Sequence, residues 1–249
     1  MRLLWDNKVD SGTLTASSEA SNYPVSNVSH IHLSRKWRST GDTSEWIKID
    51  AGSGNTITAN VIAILQHNIS SGATVKIQAN ATDVWTSPSI DETIPYNSGI
   101  IFKFFTNATG YRYWRLLVED PSNPDSYIEI GRLFLCTYYQ VEKSFQKAFT
   151  EEKINTDQLS YSLTGQLFAD VGIEFKRYAL TFPYWNNAAK QAIESMVTMI
   201  GKHKPIVLFL DEDNTDKLLP VYCHIESDIK YSHIHNYVWQ GALTFQEVF

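Results

Sequence analysis

The chain has 249 residues, 43% hydrophobic and 19% charged, a composition that fits one large or two ordinary globular domains and excludes disordered or collagen-like polymers. Its formal net charge of −6 gives no electrostatic grip on DNA or anionic membranes, and no apolar run approaches the ~18 residues of a membrane span. The two cysteines, Cys136 and Cys223, are too few and too far apart for a disulfide scaffold, and the opening Met1-Arg2-Leu3-Leu4-Trp5-Asp6 turns polar without a signal-peptide stretch, so cytosolic synthesis is expected.

Residues 1–137 read as short strands divided by polar turns. Trp46-Ile47-Lys48-Ile49 alternates and runs into the turn formers Asp50 to Gly54. Val61 to Leu65 is continuously apolar, as expected of a strand buried on both faces, and Thr74 to Gln78 alternates again. Ile100–Phe105, Tyr113–Val118 and Ile128–Leu135 complete the series, with turns at Ser70-Ser71-Gly72, Asn97-Ser98-Gly99 and Pro121 to Asp125. Many short strands without a helical period predict a sandwich or barrel. Four Asn-X-Ser/Thr sequons begin at Asn27, Asn68, Asn80 and Asn107, and without a signal peptide they read as chance.

The texture changes near Tyr138, where the domain boundary is placed; Val141–Phe149 is charged and amphipathic and fits a strand or a short helix. Within 138–249, β-runs are expected at Gln158–Leu163 and at Ile173–Phe182, the second ending at Pro183. A helix over about 187–201 follows, capped by Asn186 or Asn187 and stopped by Gly201 and Pro205. Its stripe is Ala192, Ile193, Met196, Val197 and Ile200. Ile206–Leu210 and Leu219–Ile225 flank the polar loop Asp211–Asp216, and Tyr237–Phe245 closes the chain as a strand. Strands, one helix and more strands predict an α+β layer, so the whole chain is expected to be mainly β.

Three segments together carry a resemblance. Ala16-Ser17-Ser18-Glu19-Ala20-Ser21-Asn22-Tyr23-Pro24 with Trp37-Arg38-Ser39, then Glu45-Trp46-Ile47-Lys48-Ile49-Asp50-Ala51-Gly52, then Tyr111–Leu116 with Ile128–Phe134, resemble the discoidin (galactose-binding-like) family over 1–137. The resemblance implies an eight-stranded jelly-roll sandwich whose end loops bind sugars, lipids or proteins. His30-Ile31-His32-Leu33-Ser34-Arg35-Lys36 stands where many members carry an Asp-Gly pair near calcium, and imidazoles and cations are poor ligands for that ion. The family's bookend cysteines are missing too. Val61–Ile69 with Ala73–Ile77 looks like discoidin-like domains of long non-contractile phage tails. The order of elements in 138–249 resembles the tail-tube or belt fold of distal tail proteins, a β-sandwich with one flanking helix.

That second resemblance implies a structural virion protein, the distal tail protein of a phage tail tip, assembled in the host cytoplasm. Residues 138–249 would form a homo-oligomeric, hexameric ring between tail tube and baseplate hub, with DNA passing through its lumen without specific binding. The acidic Asp211, Asp213 and Asp216 would face that lumen and repel DNA. The outward N-terminal domain would serve attachment or bind a host-surface glycan weakly. The alternative is a stand-alone carbohydrate-binding or adhesion protein, and a third reading is the accessory region of a glycan-processing enzyme.

For ligand contact the candidates are Trp37, Arg38, His67, Trp85, Tyr96 and Tyr127, because aromatic faces stack on sugar rings and Arg supplies hydrogen bonds. Trp37 as a core anchor and His67 as a loop-shaping residue are the competing readings. His30 and His32 share a face, as do His233 and His235, but no spacing joins them into a tetrahedral site, so neither metal nor cofactor is expected. Cys223 and His224 are neighbours and point to opposite faces of a strand, and no Gly-x-Ser-x-Gly or phosphate loop occurs, so no catalytic residue is assigned.

Overall fold

The computed structural model describes residues 1–141, 149–210 and 219–249; Asp211, Asp213 and Asp216 of the acidic loop lie outside the described residues. The strands are β1 (Arg2–Leu4), β2 (Thr13–Ala16), β3 (Trp37–Arg38), β4 (Glu45–Asp50), β5 (Val61–His67), β6 (Thr74–Asn80), β7 (Ile90–Ile94), β8 (Ile101–Phe104), β9 (Tyr113–Glu119) and β10 (Glu129–Cys136). After them come β11 (Tyr139–Gln140), β12 (Thr150–Asn155), β13 (Gln158–Tyr161), β14 (Leu167–Asp170) and β15 (Glu174–Trp185). Helix α1 (Asn187–Ile200) is followed by β16 (Ile206–Phe209), β17 (Val221–Ile225), β18 (Lys230–His235) and β19 (Val238–Glu247). The protein is mainly β. Among the described residues, no helix is long and apolar enough to cross a membrane.

Two compact units result, Leu4–Tyr139 with Phe249, and Met1–Leu3 with Gln140–Val248. The first is a sandwich of a four-stranded sheet, β3-β10-β5-β8, and a five-stranded sheet, β2-β4-β9-β6-β7. Alternation explains the second sheet: Ile47 and Ile49 of β4, and Trp114, Leu116 and Val118 of β9, point inward while their neighbours are half-buried. In the first sheet β5 lies between β10 and β8, and its Val61–Leu65 run is buried on both faces. Trp37 and Trp114 are both fully buried in the core, and each indole N–H finds a carbonyl, Ser18 at 3.0 Å and Ile57 at 3.1 Å.

In the other unit β11-β1-β16-β17-β19-β15-β12 form one sheet, with β18 also paired to β19. Strand β1, from the very start of the sequence, is therefore part of the C-terminal sheet, a pairing that local pattern does not announce. The Asn186 side chain caps α1 by accepting from the Ala189 N–H, and Ala189, Ile193, Met196 and Ile200 are its buried stripe. The helix packs on β15 and β19. Strand β15 does not stop at Pro183 as expected. It continues to Trp185 through a register shift between Phe182 and Trp185, where a residue without an N–H breaks no regular ladder. Strand β13 falls in the run expected at Gln158–Leu163, and β14, missing from the expectation, pairs with it in a hairpin sheet of their own.

Gly241 on β19 is set by close approach. A Cβ there would meet Cζ3 of Trp185 at 2.3 Å, and Trp185 is stacked on Phe182 at 4.6 Å between centroids, so it has no room to yield. We expect Gly241→Ala to cost about 1–3 kcal/mol of stability, seen as a lower melting temperature; an unchanged melt would contradict this packing.

Candidate functional site

The sandwich has two loop ends. Strands β6 and β7 pair from Val75↔Ile94 to Ala79↔Ile90, so the 81–89 connection and the 95–100 connection lie at opposite ends. The 95–100 end also holds the turn after β5 and the segment before β10, because β10 begins beside His67 and β8 begins beside Ile64. This end gathers the polar groups.

At its centre the Arg38 guanidinium lies between two tyrosine rings, 4.2 Å from the Tyr23 centroid and 4.3 Å from that of Tyr127. Glu129 fixes it: Nε and Nη2 of Arg38 donate to Oε1 at 3.1 and 2.7 Å, and Lys36 Nζ donates to Oε2 at 3.0 Å. Among the described residues Nη1 of Arg38 has no hydrogen-bond partner. Asn68 ties the neighbouring loops together. Its side chain accepts from the Glu129 N–H at 2.7 Å and donates to the Tyr127 carbonyl at 2.9 Å and to Asp125 at 3.0 Å. Behind it, buried Asp120 accepts from the Ser70 N–H and hydroxyl and from Asn123, at 2.8, 2.5 and 2.8 Å.

The backbone here is strained in a consistent way. Among the described residues four non-glycine residues have positive φ, and three of them, Asn22 (70°), Gln66 (53°) and Ser126 (58°), immediately precede Tyr23, His67 and Tyr127. Tyr23 and Tyr127, which follow two of them, close on Arg38, while His67, which follows Gln66, meets the Asn97 carbonyl and the Tyr96 ring.

The expected ligand residues separate into groups. Arg38 and Tyr127 come together as described. Tyr96 is 42% exposed at the same end, its ring 6.4 Å from that of His67 in edge contact. Trp37 is not a contact residue: it has no exposure, because β3 directs it into the core. His67 acts as a loop pin, with Nδ1 accepting from the Ile69 N–H at 3.2 Å and Nε2 facing the Asn97 carbonyl at 3.2 Å. Burial lowers its pKa, which favours this neutral form with both nitrogens already used. Trp85 lies at the opposite end, beneath Arg115 at 4.4 Å and bonded to Asp83 at 2.8 Å. Tyr23, Lys36 and Glu129 were not picked out from sequence, although all three sit in the quoted motifs; Asn68 was read with His67 as loop-shaping.

Elsewhere, His30 and His32 do face each other, with ring centroids 5.1 Å apart. Among the described residues no three His, Cys, Asp or Glu side chains converge as a metal site would require. Both cysteines are free and buried, and burial pushes both thiols well above the ordinary range, which keeps them as unreactive core groups.

No protein-family model matches the sequence, and no curated protein matches it. Several solved carbohydrate-binding modules are similar in structure. One is chitosan-binding module 1 of a chitosanase/glucanase from Paenibacillus sp. IK-5, at 20% identity and TM-score 0.40, covering 52% of this chain and 97% of that one. Another is the family 32 carbohydrate-binding module of C. perfringens NanJ in complex with galactose, at 14% identity and TM-score 0.43, covering 56% and 100%. A third is a Streptococcus pneumoniae fucose-binding module, at 10% identity and TM-score 0.42, covering 53% and 95%.

Burial alone would raise the Glu129 pKa, but the hydrogen bonds from Arg38 and Lys36 outweigh it and hold the carboxyl below its ordinary value of 4.5. A depressed acid stabilises the fold fully above its unfolded pKa and loses that contribution as pH falls through the folded one. Glu129→Gln should therefore cost about 2 kcal/mol at neutral pH. Measured by urea unfolding, the gap from wild type should narrow below pH 4.5; a gap that stays constant in acid would refute the assignment.

Proposed function

We propose that the N-terminal sandwich binds glycans at the loop end carrying Tyr23, Arg38, Tyr96 and Tyr127. The observation that supports it is strain meeting chemistry: two left-handed residues, Asn22 and Ser126, directly precede the tyrosines that close on Arg38, and a third, Gln66, precedes His67 beside the exposed Tyr96. Backbone strain of this kind costs roughly 1–3 kcal/mol per residue and gathers where a fixed arrangement of groups is used. The exposed Tyr96 ring offers a face to the C–H surface of a sugar. Arg38 and Lys36 offer donors to hydroxyls, and Asp125 an acceptor. Because Glu129 and the two tyrosines already hold Arg38, little side-chain freedom is lost on binding.

A saccharide panel titrated against the full chain by NMR, up to the roughly 10 mM that reaches affinities of about −3 kcal/mol, tests this. Arg38→Ala and Tyr96→Ala should each weaken binding at least about tenfold, a 1.4 kcal/mol effect, while Trp85→Ala at the opposite end leaves it unchanged. No saccharide binding by the wild type, or equal loss in all three variants, would sink the proposal.

A second reading concerns the other unit, and the hairpin of β13 and β14 favours it. Leu159, Tyr161, Leu167 and Phe168 are all more than half exposed there. Apolar area of this kind marks an association surface. In this reading residues 138–249 build a homo-oligomeric ring, hexameric in a phage tail tip, between tail tube and baseplate hub. The chain then resides in the virion tail, and DNA passes through the ring's lumen. Sedimentation velocity at rising concentration should show particles larger than one chain; a strict monomer at the solubility limit would rule the ring out.

A further inference from the structure

Strand β3 lies at the edge of its sheet and consists of Trp37 and Arg38. Trp37 is buried and its indole N–H donates to the Ser18 carbonyl, which fixes the strand. Arg38 points the other way and pairs across the ladder with Glu129. The guanidinium is left with few open directions. It is held between the Tyr23 and Tyr127 rings, so a ligand must approach in its plane. One in-plane edge, Nε with Nη2, is taken by Oε1 of Glu129 at 3.1 and 2.7 Å. The other edge, formed by N–H groups of Nη1 and Nη2 at the end of the side chain, meets no acceptor among the described residues. Nη1 stays within reach of solvent, unlike the buried, unpartnered Nη1 of Arg132.

Charge points the same way. Lys36 and Arg38 share the single Glu129 carboxylate, at 3.0 Å from Oε2 and 2.7 Å from Oε1. Among the described residues Glu129 is the one carboxylate that acts on the Arg38 guanidinium. Two cations against one anion leave one positive charge over. The lysine and arginine side chains are only 26% and 28% exposed, so water screens that charge less than on an open surface. A sugar hydroxyl would accept one bond from the remaining edge and leave the charge uncompensated. A carboxylate accepts two parallel, charge-assisted bonds of roughly 2.7–2.9 Å, matches the planar fork and neutralises it.

We infer that the saccharide taken at this loop end is acidic, a uronate whose carboxylate lies in the plane of the Arg38 guanidinium against Nη1 and Nη2. The inference rests on the glycan reading of the same loop end and names the class of sugar. Lys36 gives one N–H to Glu129 and has others for the same anion. Glu129 and the two tyrosines hold the fork before a ligand arrives, so the selectivity is built into the free protein.

Sugars that differ only at the exocyclic carbon test it: glucose against glucuronate and galactose against galacturonate, each titrated into the full chain by NMR. In at least one pair the acid should bind about tenfold more tightly or better, ~1.4 kcal/mol. The methyl ester of that acid, similar in size but uncharged, should fall back to the neutral sugar's affinity. Arg38→Lys keeps a cation against Glu129 and loses the fork. It should fold, which melting checks, and should shrink the preference for the acid to about threefold or less. Neutral sugars bound as well as the acids, or better, overturn the carboxylate site and leave glycan binding standing. A preference that survives in the ester or in Arg38→Lys overturns its placement on Arg38. Binding of no saccharide at all overturns the glycan reading itself.

Discussion

The Glu129 carboxylate is the interaction on which the N-terminal loop end depends. It occupies the first position of β10, where strand, turn and loop meet, and it is 8% exposed. A buried carboxylate is costly unless paired, so Lys36, just before β3, and Arg38, within it, are drawn to it. Once the guanidinium is fixed, its two faces are defined, and Tyr23 and Tyr127 close on them. The backbone N–H of the same glutamate binds Asn68, which fixes the Tyr127 carbonyl in turn. One charge thereby sets the position of three loops.

Much of this scaffold was legible in the sequence because it follows period and capping. The alternation in β4 and β9, the apolar run in β5 and the Asn186 cap each have a local cause that survives folding. The site was less legible because its parts are long-range. Trp37 and Arg38 are adjacent, and nothing local says that the tryptophan turns inward and the arginine outward; pairing with Ile130 and Glu129 decides it. For His67 the sequence leaves both a contact and a loop-shaping role open, and the two ring nitrogens meeting backbone favour the second. Tyr23 and Glu129 stand 106 positions apart in sequence and meet only through Arg38.

Different causes hid parts of the C-terminal unit. The pairing of β1 into its sheet spans nearly the whole chain and leaves no periodic trace. The ribbon of β13 and β14 alternates, yet its apolar side faces water, so the rule that equates apolar periodicity with a covered face fails there. Strand β15 runs past Pro183 because a register shift absorbs the missing donor, a device that the sequence does not display.

The two units leave different kinds of surface unsatisfied, and this separates their proposed roles. Around Arg38 the exposed groups are polar, rigidly held and strained, which suits a hydrogen-bonding ligand that displaces water from fixed donors. On the ribbon they are apolar and uncharged, which suits burial against protein, where contact area matters more than directed bonds. The roles also reinforce each other. In the proposed role, a shallow site built on one exposed tyrosine and a few donors would bind a single saccharide weakly. Copies joined through the other unit would present several such sites together, and effective concentration can raise avidity by about 10²–10⁴ without any new contact. Weak binding at each loop end is then compatible with firm attachment by the assembly.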